Sequence, residues 1–254
     1  MSTPHGALYL VPNTLDFGTD TQANPIEDVL PAAVLRTAAR LTHWVAENAK
    51  TTRAFLKRVD AVVPLAQPLQ ALAIVELPRP AKGARGSAGD LAALLDPARQ
   101  GHDIGLISEA GLPAVADPGA ALVQAAHATG IEVIALAGPS SLMLALAASG
   151  LNGQSFAFVG YLPVEASARA ARIRELEALS RRLGQTQLMI ETPYRNQALL
   201  GALVGSLQPD TRLSVSCGLT LSTGFTRTDE VRGWNAWPSA LPDSVPAVFS
   251  LLAA

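Results

Sequence analysis

The chain has 254 residues, 49% of them hydrophobic and 16% charged, and a formal net charge of −2. That is apolar material for one large or two smaller cores, and it excludes a protein that coats nucleic acid through overall basicity, so RNA would have to be held by a local patch. A single cysteine, Cys217, excludes an intramolecular disulfide and leaves a zinc site without partners, and residues 1–6 lack the basic and apolar stretches of an export signal, so the cytoplasm is the expected location.

In chain order, residues 7–11 read as a short strand ended by Pro12, and residues 13–24 as a loop of turn-forming types. Helical spacing over 29–41 precedes a second strand at 44–46, which ends on Glu47-Asn48, and a helix through Phe55, Leu56 and Val59 follows. Lys50, Arg53, Lys57 and Arg58 give that helix a basic face, which on spacing alone reads equally as solvated. Residues 78–89 set Arg79, Lys82 and Arg85 among Gly, Pro and Ser, as a loop does, and residues 90–99 read as a short helix. An apolar strand around Ile104, Leu106 and Ile107 then enters a long loop, closed by Asp117-Pro118-Gly119, with a helix over 120–129 behind it. The apolar run 131–151 is too interrupted, by Glu132 and by Gly138-Pro139, for a membrane span, and reads as a buried strand and a buried helix.

A Gly/Asn break at 151–154 places a domain boundary, giving domains 1–152 and 153–254. Beyond it come a strand at 156–159, a helix over 166–183 stopped by Gly184, a strand at 188–190, a helix through Leu199, Leu200 and Leu203, and strands at 213–216 and 245–252. The alternation of strand and helix predicts α/β layering. In such sheets ligands bind at the loops on the carboxyl ends of the strands, which singles out the loop carrying Ser108, Glu109, Ala110, Gly111 and Asp117. Asp117 also precedes a proline and a helix, so it serves equally well as a brace of the turn.

Four motifs occur in a fixed order: SEAGLPAVADPG from Ser108, GPSS from Gly138 opening an Ala-rich helix, FVGYLP from Phe158, and ETPYR from Glu191. Together they resemble the tetrapyrrole-methylase superfamily, the class III S-adenosylmethionine-dependent methyltransferases, and within it the branch that methylates a ribose of small-subunit ribosomal RNA. The first loop departs from that branch, with Asn13-Thr14-Leu15-Asp16 in place of its Gly-Asn-Leu element. Glu47-Asn48-Ala49-Lys50 stands where the branch has Glu-Asp-Thr-Arg, with Arg53 as the displaced arginine.

The resemblance implies two α/β domains with S-adenosyl-L-methionine in the cleft between them, a homodimer, and small-subunit rRNA or the ribosomal subunit as partner, with no membrane. The cofactor would meet Ser108, Glu109, Ala110, Gly111, Asp117, Ser140, Ser141, Tyr161, Pro193 and Tyr194. A sugar hydroxyl is a poor nucleophile, so a general base helps; Glu47, Glu109 and Glu191 are the candidates, with Lys50, Arg53 or Arg195 orienting a phosphate. Glu191 beside Arg195 reads equally as a structural ion pair. A small-molecule acceptor such as a tetrapyrrole, and a cofactor-binding protein without turnover, remain open. No GxGxxG, P-loop or metal-ligand His cluster is present.

Overall fold

The computed structural model describes residues 5–16, 24–78, 88–237 and 240–253. Most of the 78–89 loop, with Arg79, Lys82 and Arg85, and part of the first loop lie outside the described residues. The chain divides into two compact units, Met1–Pro139 and Ser140–Ala254.

In the first unit five strands, β1 (Leu8–Leu10), β2 (His43–Ala46), β3 (Ala73–Glu76), β4 (Ile104–Ile107) and β5 (Val133–Ala135), form an all-parallel sheet of order β3-β2-β4-β1-β5. Its helices are α1 (Ile26–Val29), α2 (Ala32–Arg40), α3 (Ala49–Asp60), α4 (Ala88–Ala93), α5 (Asp96–Arg99) and α6 (Ala120–Ala128). Successive strand residues feed opposite faces. Trp44, Ala46 and Ile107 pack with Leu35, Phe55, Leu56 and Val59 of α2 and α3, whereas Val45, Ile104 and Leu106 pack with Ala98, Leu122 and Ala126 of α5 and α6. A sheet covered on both faces needs apolar residues at every position, which is why β4 reads Ile-Gly-Leu-Ile and is buried throughout. Its glycine is steric: a Cβ at Gly105 would stand 2.6 Å from the ring of Trp44, its partner in register on β2.

The expected helix 29–41 begins later, at Ala32 after Pro31, with the separate short α1 ahead of it, and the expected helix 90–99 is two, with Pro97 in the first turn of the second. β3 carries no sequence signal because it is an edge strand with three of its four residues exposed.

The second unit holds β6 (Phe156–Phe158), β7 (Thr186–Glu191), β8 (Arg212–Cys217), β9 (Phe225–Glu230) and β10 (Ala247–Leu252), in the order β6-β7-β10-β8-β9. Only β6 and β7 run parallel; the other pairings are antiparallel. Here too the faces alternate. Leu188 and Val248 meet Leu142, Ala145 and Leu146 of α7 (Ser141–Ser149), while Met189 and Phe249 meet Ile173 and Leu176 of α8 (Ala166–Leu183) and Leu199 and Leu203 of α9 (Asn196–Ser206). A short α10 (Val231–Trp234) completes the unit. The division falls at Pro139/Ser140 rather than at the expected 151–154 break, because α7 covers one face of the second sheet. Gly184 ends α8 with φ +58°, and Glu165 caps its start by accepting the Ser167 and Ala168 N–H groups.

Candidate active site

Parallel strands deliver their carboxyl ends to one edge of the sheet. In the first unit β1 leads there into Asn13, Thr14 and Asp16, β2 into Glu47, and β4 into Ser108, Glu109, Ala110 and Gly111. β1 and β4 are neighbours whose onward connections run to opposite edges of the sheet, the arrangement that opens a ligand crevice.

The loops are tied in a closed circuit. Asn13 and Gly111 exchange backbone hydrogen bonds (2.9 and 3.2 Å), and the buried Asn13 side chain donates to the carbonyls of Ser108 (3.2 Å) and Glu109 (3.0 Å). The Asn13 Oδ1 accepts the Thr14 N–H, and the Thr14 hydroxyl donates to Asp16. Asp16, nearly fully buried, pairs with Arg58 of α3 at 2.9 Å. The Glu109 N–H donates to Glu47 Oε2 at 3.1 Å, and Glu47 stands just before α3, so the path returns to the helix it left. Asn48 caps α3 by accepting the Lys50 and Thr51 N–H groups.

Between Glu109 and the start of α6 the backbone is strained. Ala114 and Ala116 both have φ +65°, a conformation costing a side-chain-bearing residue about 1 kcal/mol or more. On this folded-back course Asp117 lies close enough to Glu47 and Glu109 to feel their charges. Burial, with the Glu47 and Glu109 charges adding to it, pushes the Asp117 carboxyl up to about 7, while the Ser108 hydroxyl pulls the other way. Among the described residues none of these three carboxylates is in an ion pair.

Of the residues singled out from sequence, Glu47, Ser108, Glu109, Ala110, Gly111 and Asp117 are therefore brought together. Lys50 and Arg53 lie on α3, both exposed. The remaining candidates belong to the second unit. Ser140 precedes α7 and Ser141 opens it. Tyr161 and Tyr194 are exposed, and their hydroxyls bear on Arg195. Pro193 opens a 3-10 turn that carries Tyr194 and Arg195. Glu191 ends β7 buried, accepting from Arg195 (2.6 Å), from the Thr192 N–H (2.8 Å) and from the Thr192 hydroxyl (3.2 Å).

Asn13, Thr14, Asp16 and Arg58 escaped the sequence reading. Their one signal was the departure at residues 13–16 from the related loop, which is where the circuit is built. His43 and His102 stack on each other at the amino ends of β2 and β4, the opposite end of the strands from the carboxylates.

No protein-family model matches the chain. Proteins named ribosomal RNA small subunit methyltransferase I resemble it: that of Halalkalibacterium halodurans is 32% identical over 190 residues, which are 75% of this chain and 56% of the relative. That of Mesorhizobium japonicum is 38% identical over 132 residues, 52% of this chain and 44% of the relative. The chain thus spans about half the length of the curated relatives it matches. Among solved structures, uroporphyrin-III C-methyltransferase from Thermus thermophilus superposes with a TM-score of 0.51 at 18% identity, over 97% of this chain and 92% of that one. The methyltransferase CobJ superposes with a TM-score of 0.55 at 17% identity, over 98% and 95%. The chain has the two-domain α/β fold of these tetrapyrrole methyltransferases, and its sequence resembles the rRNA small subunit methyltransferase I proteins.

Proposed function

We propose that this protein is an S-adenosylmethionine-dependent methyltransferase acting on a ribose 2′-hydroxyl of small-subunit ribosomal RNA. One observation carries the reading: three carboxylates gathered at the carboxyl edge of a parallel sheet, one of them pushed up to about 7, in a chain that resembles proteins named rRNA methyltransferases. S-adenosylmethionine, when bound, supplies an activated methyl group on a sulfonium centre. The residues suit that group in charge, since Glu47, Glu109 and Asp117 are acidic and unpaired among the described residues, and the ligand carries a sulfonium and an ammonium. Ser108, Ala110 and Gly111 would hold it.

Methyl transfer to a hydroxyl releases the hydroxyl's proton, and Asp117 is the residue poised to take it. A base near neutrality is the best matched to proton transfer at physiological pH, and Asp117 lies at that point whereas ordinary carboxylates lie about three units below. Burial sets most of that affinity, and the charges of Glu47 and Glu109 add to it. Glu47 also holds the β4 loop through the Glu109 N–H. Lys50 and Arg53 would contact phosphate. Arg195 is committed to Glu191, so its part is to fix the turn that carries Tyr194. The reading brings with it a cytoplasmic location, where ribosomal subunits are found, and a homodimer; among the described residues no helix is long and apolar enough to cross a membrane.

The test is transfer of labelled methyl from S-adenosylmethionine to small ribosomal subunits from a strain lacking the gene, with a tetrapyrrole precursor as parallel acceptor. Label in RNA that resists alkali as a 2′-O-methyl group is the expected result. Label in the tetrapyrrole alone, or in neither with the cofactor bound, overturns the acceptor.

A further inference from the structure

The mechanism above gives Lys50 and Arg53 to phosphate but leaves unused Lys57, which lies on the same exposed face of α3. At 3.6 residues per turn, Lys50, Arg53 and Lys57 lie within about 60° of one another around the helix, and all three are exposed. Phe55, Leu56 and Val59 bury the opposite face. Among the described residues none of the three cations is in an ion pair. Arg53 reaches only the carbonyl of Ala49 in its own helix. Two carboxylates bracket the stripe and are themselves occupied: Glu76 accepts the Ala49 N–H at one end, and Asp60 accepts the Leu65 N–H at the other.

On α8 part of the basic face is neutralised by a carboxylate of the same helix. That helix carries Arg169, Arg172, Arg174, Arg181 and Arg182, but Arg172 pairs with Glu175 at 2.7 Å, Arg169 donates to the Val164 carbonyl, and Arg181 is engaged as well. On α3, by contrast, the three cations project into solvent with no carboxylate between them.

Position matters as much as charge. Lys50 stands in the first turn of α3, three residues after Glu47 in the chain, so the stripe starts beside the carboxylate cluster and runs away from it. From Lys50 to Lys57 the helix advances about 10 Å, which matches about three phosphates of a stacked single strand at roughly 3.4 Å each. The protein has no overall attraction for a polyanion, with a net charge of −2, so a local track of this kind is what RNA binding would require.

We propose that the Lys50–Arg53–Lys57 face of α3 is a docking track for the sugar–phosphate backbone of single-stranded RNA, leading an acceptor strand to the carboxyl edge of β2 and β4. The inference rests on the methyl-transfer reading for the purpose of the track but not for its existence, because backbone binding is measurable without turnover. Contacts to phosphate set register and affinity without reading sequence, so the track holds RNA of any composition.

The experiment is fluorescence anisotropy of a labelled single-stranded oligoribonucleotide titrated with the full chain at several salt concentrations. The comparison is between the parent protein, Lys50→Glu/Arg53→Glu/Lys57→Glu, the single Lys57→Glu variant, and Arg174→Glu on α8 as control. The parent should bind with a steep salt dependence. The triple variant should lose at least about tenfold in affinity, and its slope in log salt should flatten by about 2, since each phosphate contact on a single strand contributes roughly 0.7. Lys57→Glu, far from the helix cap, should show about one third of that flattening, and Arg174→Glu none. Calorimetric binding of S-adenosylmethionine, unchanged in the triple variant, separates loss of the track from loss of the fold. Failure of the parent to bind the oligonucleotide, or a triple variant with the parental slope, overturns the track. RNA bound through α3 by a protein that methylates only a small molecule would sink the proposed acceptor and leave the track standing.

Discussion

The two units each bring carboxylates to the end of a strand, and they treat them in opposite ways. At the end of β7, Glu191 Oε1 accepts from Arg195 at 2.6 Å and from both polar hydrogens of Thr192, so its negative charge is matched by a guanidinium. At the ends of β2 and β4, Glu47, Glu109 and Asp117 are gathered without a cationic side chain in an ion pair among the described residues, and the crowding is relieved by raising Asp117 to about 7. A paired buried carboxylate holds a structure together. An unpaired cluster, kept in place by two alanines at φ +65° and a circuit of hydrogen bonds, is costly to build and therefore points to work done on a ligand. Glu191 and Arg195, both candidates for catalysis or substrate contact from sequence alone, thus fall on the structural side of this comparison.

The largest effect is expected at Asp117. Asp117→Asn keeps the size of the side chain and removes its ability to take a proton. The rate constant for methyl transfer should fall by about 10² to 10⁴, with cofactor affinity changed far less. In the parent protein the rate should rise with pH through about 7 and then level off, because only the ionised form accepts the proton. Stability carries the opposite sign. The folded protein holds this proton where the unfolded chain, with an aspartate near 4, has released it. The contribution of Asp117 to stability is therefore full below about pH 4 and is lost as pH rises to 7. Thermal unfolding of the parent and of Asp117→Asn across that window should show the parent's slope and its removal. A variant that retains the parental rate would reduce Asp117 to a brace of the turn.

The second test strikes the other side of the comparison. Arg195→Met leaves the Glu191 carboxylate buried with only Thr192 for company, and the denaturant midpoint of unfolding should fall. Glu191→Gln should be milder in stability and should leave the pH dependence of the rate in place. If Glu191→Gln lowers the rate as far as Asp117→Asn does, the contrast between the two ends collapses and Glu191 becomes the proton acceptor.

Much of this architecture could be read from sequence where burial imposes a pattern. β4, buried on both faces, announced itself as an apolar run, and Gly184 announced the end of α8 through its left-handed conformation. β3 and β9 did not, since neither holds a fully buried residue and so neither face enforces an apolar pattern. The motif around Ser108 to Gly119 marked the loop at the carboxyl end of β4, but nothing in it showed that Asp117 comes within reach of the Glu47 charge, because the loop's course runs through two alanines at positive φ. Glu47 and Glu109 are 62 residues apart in the chain; one sequence holds no measure of such a distance. Asn13 and Asp16 were misjudged for a related reason. They stood out only as departures from a relative's loop, and a departure reads as loss until its hydrogen-bond partners are seen.

Asn13→Ala gives the smallest effect and isolates that circuit. The backbone bridge to Gly111 uses no side-chain atom and survives the change. What is lost is the pair of hydrogen bonds to the Ser108 and Glu109 carbonyls, in a side chain only 6% exposed. Leaving buried carbonyls without donors costs about 1 to 2 kcal/mol, which denaturant unfolding should read directly. Because the same two carbonyls belong to the loop that carries Glu109, KM for S-adenosylmethionine should rise severalfold while the pH midpoint of the rate stays near 7. Asn13→Asp should be worse than Asn13→Ala on both counts, since it sets a carboxylate against two carbonyl oxygens beside an already acidic cluster. Equal behaviour of the two variants would mean that the backbone bridge alone positions the loop, and that Asn13 acts through its main chain.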